Sequence, residues 1–152
     1  MGITMSTGGM LTYDNVTYQQ PSNWREYTDF GYCHNITIRN LSIQLSGGDG
    51  IYVEGCSSVH MSDLDVTDHS RQGMSIIAAR DMLVERSEFS RTWGAAPSAG
   101  IDLEPDGPTQ PLVNITIRHC EFNDNDGNGI NSVRLLPHLL HTRFCPASLL
   151  SV

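Results

Sequence analysis

The sequence predicts an all-β chain, a right-handed parallel β-helix of about four to five coils, on three observations. Stretch 35–43 returns as 58–66, 81–89 and 114–122, with starts 23, 23 and 33 residues apart. A second echo keeps the same phase: Gly50-Ile51-Tyr52-Val53, Gly73-Met74-Ser75-Ile76, Gly100-Ile101-Asp102-Leu103 and Gly129-Ile130-Asn131-Ser132. Within each unit the apolar residues alternate with period two, the pattern of strands. A unit of this size cannot bury its own apolar face, so a fixed period in the twenties means stacked coils.

Taking the chain in order, 1–34 is the least regular part. Alternation over 11–18 reads as a strand, an earlier and degraded coil, and 20–27 with its Pro21 reads as a loop. Trp24, Tyr27 and Tyr32 either cover the open end of the solenoid or offer an aromatic surface to a sugar.

Residues 35–132 form the repeat domain. Each coil reads as strand 36–38, bend 39–40, strand 41–43, variable turn 44–50, strand 51–53 and return turn 54–58. The apolar phase slips by one between Ile38 and Leu41, and Asn40, matched by Asp63 in the next unit, tolerates the left-handed backbone of a tight bend. Stacking then places Ile36, Val59, Met82 and Ile115 in one inward column, and Ile38, Met61, Val84 and Ile117 in a second. Ile43, Val66, Phe89 and Phe122 make a third, and Ile51, Met74, Ile101 and Ile130 a fourth. The fifth, Leu41, Leu64, Ser87 and Cys120, has small later members that leave room for the Phe pair. Each buried apolar side chain contributes roughly 1.5–3 kcal/mol.

The strand after the variable turn carries the candidate site. Its inward residues put Tyr52 and Glu54 outward on the first coil, then Ser75 and Ile77, then Asp102 and Glu104, then Asn131. Turns 91–99 and 106–111 absorb the extra residues of the third coil, and loops that lengthen on one side of a rigid scaffold are where sites lie. Asp102 and Glu104 read as an exposed carboxylate pair ~7 Å apart along one strand face. Such a pair can transfer protons at a glycosidic bond, or hold a divalent cation, Ca²⁺ included, through oxygen ligands. From the coil before, Arg71 offers a bidentate partner for a uronate carboxylate and His69 a group that exchanges protons near neutral pH. The expected catalytic set is Asp102, Glu104 and His69, and Arg71, Tyr52, Trp93 and Asp106 are the expected substrate contacts. No residues are assigned to a resident metal. The plain alternative is a solvated face of outward acids.

Stretch 123–129 opens like a calcium loop at Asp124, Asp126 and Asn128, but Leu135 stands where the closing Glu belongs, so it reads as a turn. Residues 133–152 contain no acid, and the 3–4 spacing of Leu135, Leu136, Leu139 and Leu140 reads as a short helix. This tail is either a cap or a sequence foreign to the repeat, and His138 and His141 carry no functional weight. Strand stacking of about 4.8 Å makes four coils only ~20 Å tall. A piece of a longer protein is the expectation.

Composition sets the outer limits. Lys and Arg number 9 against 17 Asp and Glu, a net charge of −8, which argues against nucleic acid, whose binding needs clustered cations. An acidic sugar requires a local cation instead. Cys33, Cys56, Cys120 and Cys145 show no zinc spacing; Cys120 falls in an inward column, and Cys33 and Cys56 flank the first coil, close enough in sequence to pair or stay free. No apolar run reaches membrane length, and no secretory leader is legible. Of the sequons at Asn15, Asn35, Asn40 and Asn114, the last three lie in the repeat, where Asn and Thr serve turn and strand.

The coil repeat over 35–131 resembles the pectin-lyase-like right-handed β-helix proteins. That resemblance implies an acidic, uronate-containing polysaccharide as partner, an extracellular setting, and lyase or epimerase chemistry by proton abstraction next to a carboxylate. Gly100-Ile101-Asp102-Leu103-Glu104-Pro105-Asp106 is similar to the aromatic-aspartate-proline stretch of alginate C5-epimerases, with Glu104-Pro105 in the place of their catalytic Asp-Pro. It departs from them in Glu for Asp and in Asp106 where a His is expected. The adjacent Asp pair and Gly-His-Gly of polygalacturonase-like proteins are missing. A reading of another class is a non-catalytic β-helix segment that binds glycans or extends a larger surface protein.

Overall fold

A computed structural model describes strands at 3–5, 10–13 and 16–19, the segment 34–105, the segment 110–132, and a strand at 140–144. The elements are β1 (Ile3–Met5), β2 (Met10–Tyr13), β3 (Val16–Gln19), β4 (His34–Gln44), β5 (Ile51–Thr67) and β6 (Met74–Glu85). They continue with β7 (Glu88–Ser90), β8 (Ile101–Leu103), β9 (Leu112–Arg118), β10 (Ile130–Ser132) and β11 (Leu140–Phe144). No helix occurs among the described residues.

The strands stack as a parallel β-solenoid, with three full turns between the four repeat starts. Along one arm β4, β5, β6, β9 and β11 follow one another, every step parallel. Along a second arm the order is β5, β6, β8, β10. The inward columns hold: Ile36 pairs Val59, Val59 pairs Met82 and Met82 pairs Ile115, while Ile51, Met74, Ile101 and Ile130 follow in line. Phe89 and Phe122 stack with centroids 5.9 Å apart, in the room left by Ser87 and Cys120. Burial is deepest in the middle coils. Ile36, Ile38 and Leu41 at one end, and Phe122 and Ile130 at the other, are only partly covered.

Three corners recur in register, each with a left-handed residue. They are Asn35, Ser58, Asp81 and Asn114; Asn40, Asp63, Arg86 and His119; and Leu45, Asp68, Arg91 and Asp124. A left-handed L-residue costs roughly 1–2 kcal/mol, so its repetition marks a need: a sharp bend that still keeps the ladder in register. Arg39 pairs Ser62 and Leu41 pairs Leu64 on either side of the bend, so β4 runs through 39–40 as one element. The expected break between 36–38 and 41–43 is therefore a corner within a strand. Likewise β5 runs through the expected return turn 54–58, with register shifts on both sides of Glu54. Side chains staple the corners coil to coil: Arg86 holds Asp63, Arg91 holds Asp68, and Asn114 donates to Asp81.

The glycine echo has a steric cause. A Cβ on Gly50 would lie 2.6 Å from the carbonyl of Gly73, one on Gly73 2.6 Å from that of Gly100, and one on Gly100 2.7 Å from that of Gly129. Successive coils approach too closely there for any side chain.

The N-terminal end corrects the expectation. The strand expected at 11–18 is two strands, β2 and β3, paired antiparallel, and β2 also runs antiparallel to β4. The coils of the solenoid run parallel, and this hairpin lies antiparallel on the first of them. β1 lies antiparallel on β5 in the same way. The short helix expected over 135–141 falls mostly outside the described residues, and the chain that follows it forms a strand over 140–144 on the open edge of β9. Residues 133–139, the aromatic stretch with Trp24, Tyr27 and Tyr32, Asn15, Cys33 and Cys145 lie outside the described residues. Cys120 is a buried free thiol, and Cys56 is buried in the core.

Candidate functional site

The variable turns place one polar residue over the strand of the next coil. Position 49 and position 72 are equivalent, since the glycine after each starts the same backbone ladder. Asp49 Oδ2 accepts from Ser75 Oγ at 2.8 Å, and Gln72 Nε2 donates to Asp102 Oδ2 at 3.0 Å. From the other side Asn131 Nδ2 donates to Asp102 Oδ1 at 2.9 Å. Turn and strand thus build one hydrogen-bonded cluster across four coils.

This covering overturns the expected exposure of the strand's outward face. Asp102 is 1% exposed, and Ser75 and Ile77 are also buried. Outward phase keeps a side chain out of the core, but the turn residues Asp49, Arg71 and Gln72 fold across it and exclude water. Asp102 is accordingly a buried carboxylate with an amide donor on each oxygen, not half of an exposed pair.

Arg71 joins the cluster to solvent. Its Nη1 donates to both oxygens of Asp49, at 3.2 and 3.0 Å, and its Nη2 donates to Glu104 Oε2 at 3.3 Å. The Arg71 and Glu104 side chains are 34% and 30% exposed, that of Asp49 only 10%. Burial raises the Glu104 carboxyl above its usual range, and the neighbouring Asp102 charge adds to this against the pull of Arg71. Burial also raises Asp49, outweighing Arg71 and Ser75.

His69 stands elsewhere. The ring is fully buried beneath the turn, where Nδ1 accepts from the Ser46 amide at 3.3 Å and meets Ser46 Oγ at 2.7 Å. Burial lowers its pKa to about 4, so it does not exchange protons near neutral pH. Asn125 repeats the arrangement two coils on, with Oδ1 accepting from the Thr92 amide and hydroxyl and Nδ2 donating to the Phe89 carbonyl. Both are inward polar props of a corner, and 123–129 is the turn expected of it.

The remaining expected contacts divide. Tyr52 is partly buried at the first-coil end of the same outward row, its hydroxyl 3.5 Å from Glu54, which also accepts from Gln110 at 3.2 Å. Trp93 is 54% exposed on the long third-coil turn, whose backbone is tied to His69 and Ser70, next in chain to Arg71. Asp106 lies outside the described residues. Among the described residues no group of three His, Cys, Asp or Glu side chains is placed to hold a metal ion, and no helix is long and apolar enough to cross a membrane.

Reading the sequence for outward strand residues missed Asp49 and Gln72, and passed over Ser75 and Asn131 as site members. The available signal was the stacking of equivalent turn positions: a polar residue just before each coil's glycine sits one coil from an outward polar residue. A second network was missed on another side. Glu85 binds His60, Arg86 and Arg118, and the Arg118 hydrogen bonds first, then Arg86, lower its carboxyl to about 2.

A parallel β-solenoid with a polar cluster roofed by its own variable turns is the class of protein that fold and site define. The chain matches the family described as the right handed beta helix region over residues 2–134, and it belongs to that family. No curated protein matches the chain, and no solved structure does.

Proposed function

We propose that the Arg71–Glu104 edge of the cluster binds an acidic polysaccharide and acts on its uronate units in the manner of a lyase or epimerase. The observation that carries this reading is the adjacency at one solvent edge of a guanidinium and a carboxyl with a raised pKa. The guanidinium suits a sugar carboxylate, and the carboxyl is suited to move the proton on the neighbouring carbon. Asp102 stands behind Glu104, held by an amide donor on each oxygen, and Trp93 and Tyr52 serve as sugar-stacking surfaces. The resemblance of Glu104-Pro105 to an epimerase catalytic dipeptide supports the same assignment.

A second reading, binding without turnover, draws on the burial of His69, which leaves Glu104 as the one expected acid–base residue still open to solvent among those described. The two readings separate when oligouronates are titrated by calorimetry into wild type, Arg71→Ala and Glu104→Gln, and the same samples are assayed for unsaturated or epimerised product. Arg71→Ala weakens binding by the ~1.5–3 kcal/mol of a charge-assisted pair. Glu104→Gln removes turnover if there is any. Wild-type binding that neither substitution alters in affinity or rate sinks both readings.

A further inference from the structure

The four charged groups of the cluster are not held alike. Asp102 has a donor on each oxygen and is closed to solvent. Asp49 accepts from Arg71 on both oxygens and from Ser75, and is nearly closed. Glu104 has one hydrogen bond to Arg71, the longest of the three Arg71 contacts at 3.3 Å, meets the Asp102 side chain on its other side, and nearly a third of its side chain is open. Arg71 is anchored at one nitrogen and loosely engaged at the other.

We infer that Arg71 is an exchangeable anion seat: an incoming carboxylate displaces Glu104 while Asp49 stays, and the displaced Glu104 takes up one proton from solvent. The inference rests on the uronate reading above and specifies how the site accepts its ligand. The balance is one ligand carboxylate and one proton bound together, with Arg71 exchanging one carboxylate for another, so the cluster's net charge is unchanged. Without the proton, three carboxylates would share one guanidinium, those of Asp49, Glu104 and the ligand, with Asp102 beside Glu104. With it, Glu104 is a neutral acid in the resting complex, and it must release that proton again before it can take the one on the carbon next to the sugar carboxylate.

Among the described residues, the charged groups facing Glu104 are Asp102 from its own strand region and Arg71 from the coil before, with Asp49 behind Arg71. Glu54 belongs to the coil beyond that, about two strand spacings or ~10 Å away, and is tied to Gln110. Burial and Asp102 already raise the Glu104 pKa against the pull of Arg71, and losing Arg71 to the ligand removes that pull.

The test is calorimetry of tetragalacturonate binding near neutral pH in buffers of different ionisation enthalpy, with a neutral tetrasaccharide as control. Wild type is expected to take up protons as the uronate binds, and its affinity to weaken as pH rises. Asp49→Asn, if folded by its melting curve, keeps the uptake. Glu104→Gln loses it and binds as tightly or more tightly, because no carboxylate competes for Arg71. Uronate binding without proton uptake, or uptake that survives in Glu104→Gln, overturns the inference and leaves the uronate reading standing. Failure of any uronate to bind overturns both.

Discussion

The Ser46 hydroxyl and the His69 ring meet at 2.7 Å inside the first variable turn, where the ring has no exposed surface. The ring also accepts the Ser46 amide, a donor that the bend would otherwise leave unpaired. His69→Ala is expected to destabilise by about 3 kcal/mol, from a cavity and an orphaned amide. His69→Asn, which copies the Asn125 prop, is expected to cost about 1 kcal/mol. Denaturant melts of the three proteins give the comparison, and equal losses for Ala and Asn would refute the prop.

The same residue sets an acid limit. The folded His69 value of about 4 lies below its ordinary 6.5, so the unfolded chain binds the proton first. Stability is therefore complete above about 6.5 and is lost as pH falls toward about 4, by on the order of 3 kcal/mol. The raised carboxyls of Asp49 and Glu104 act with opposite sign, so the measurement is the difference between wild type and His69→Asn. The variant should lose less stability than wild type between neutral pH and pH 4. Parallel curves would remove His69 as the cause.

Gly73→Ala tests the close approach of the coils. Its Cβ would meet backbone, the Gly100 carbonyl at 2.6 Å, and cannot be relieved by a rotamer change. A loss of 2 kcal/mol or more is expected, in the range of overpacking. Should the variant melt with wild type, the stacking distance at this column is wrong.

The strand 140–144 covers the open edge of β9. Removing 133–152 is expected to bare the 112–118 backbone and promote association through it. Sedimentation of the shortened chain decides, and a monomer as stable as the full chain would show that β11 covers nothing of consequence.

Sequence alone determined the solenoid, its inward columns and the bend at Asn40 and Asp63. Each follows from a spacing: period two gives the strand, the 23-residue repeat gives the register, and Asn40 with Asp63 marks the bend. It also brought Arg71, Asp102 and Glu104 to one side of the coil stack. Tertiary structure alone decided which of them meet water. Outward phase says only that a side chain leaves the core, and whether a turn then folds over it depends on contacts between residues 26 or 30 apart, such as Asp49 with Ser75 and Gln72 with Asp102. His69 shows the converse: a turn residue is exposed by default, yet stacking of equivalent turn positions drew it inward to cap Ser46. The ends were decided in the same way. At the C-terminal end the edge of β9 takes its backbone partners from 140–144, a pairing that no local pattern encodes.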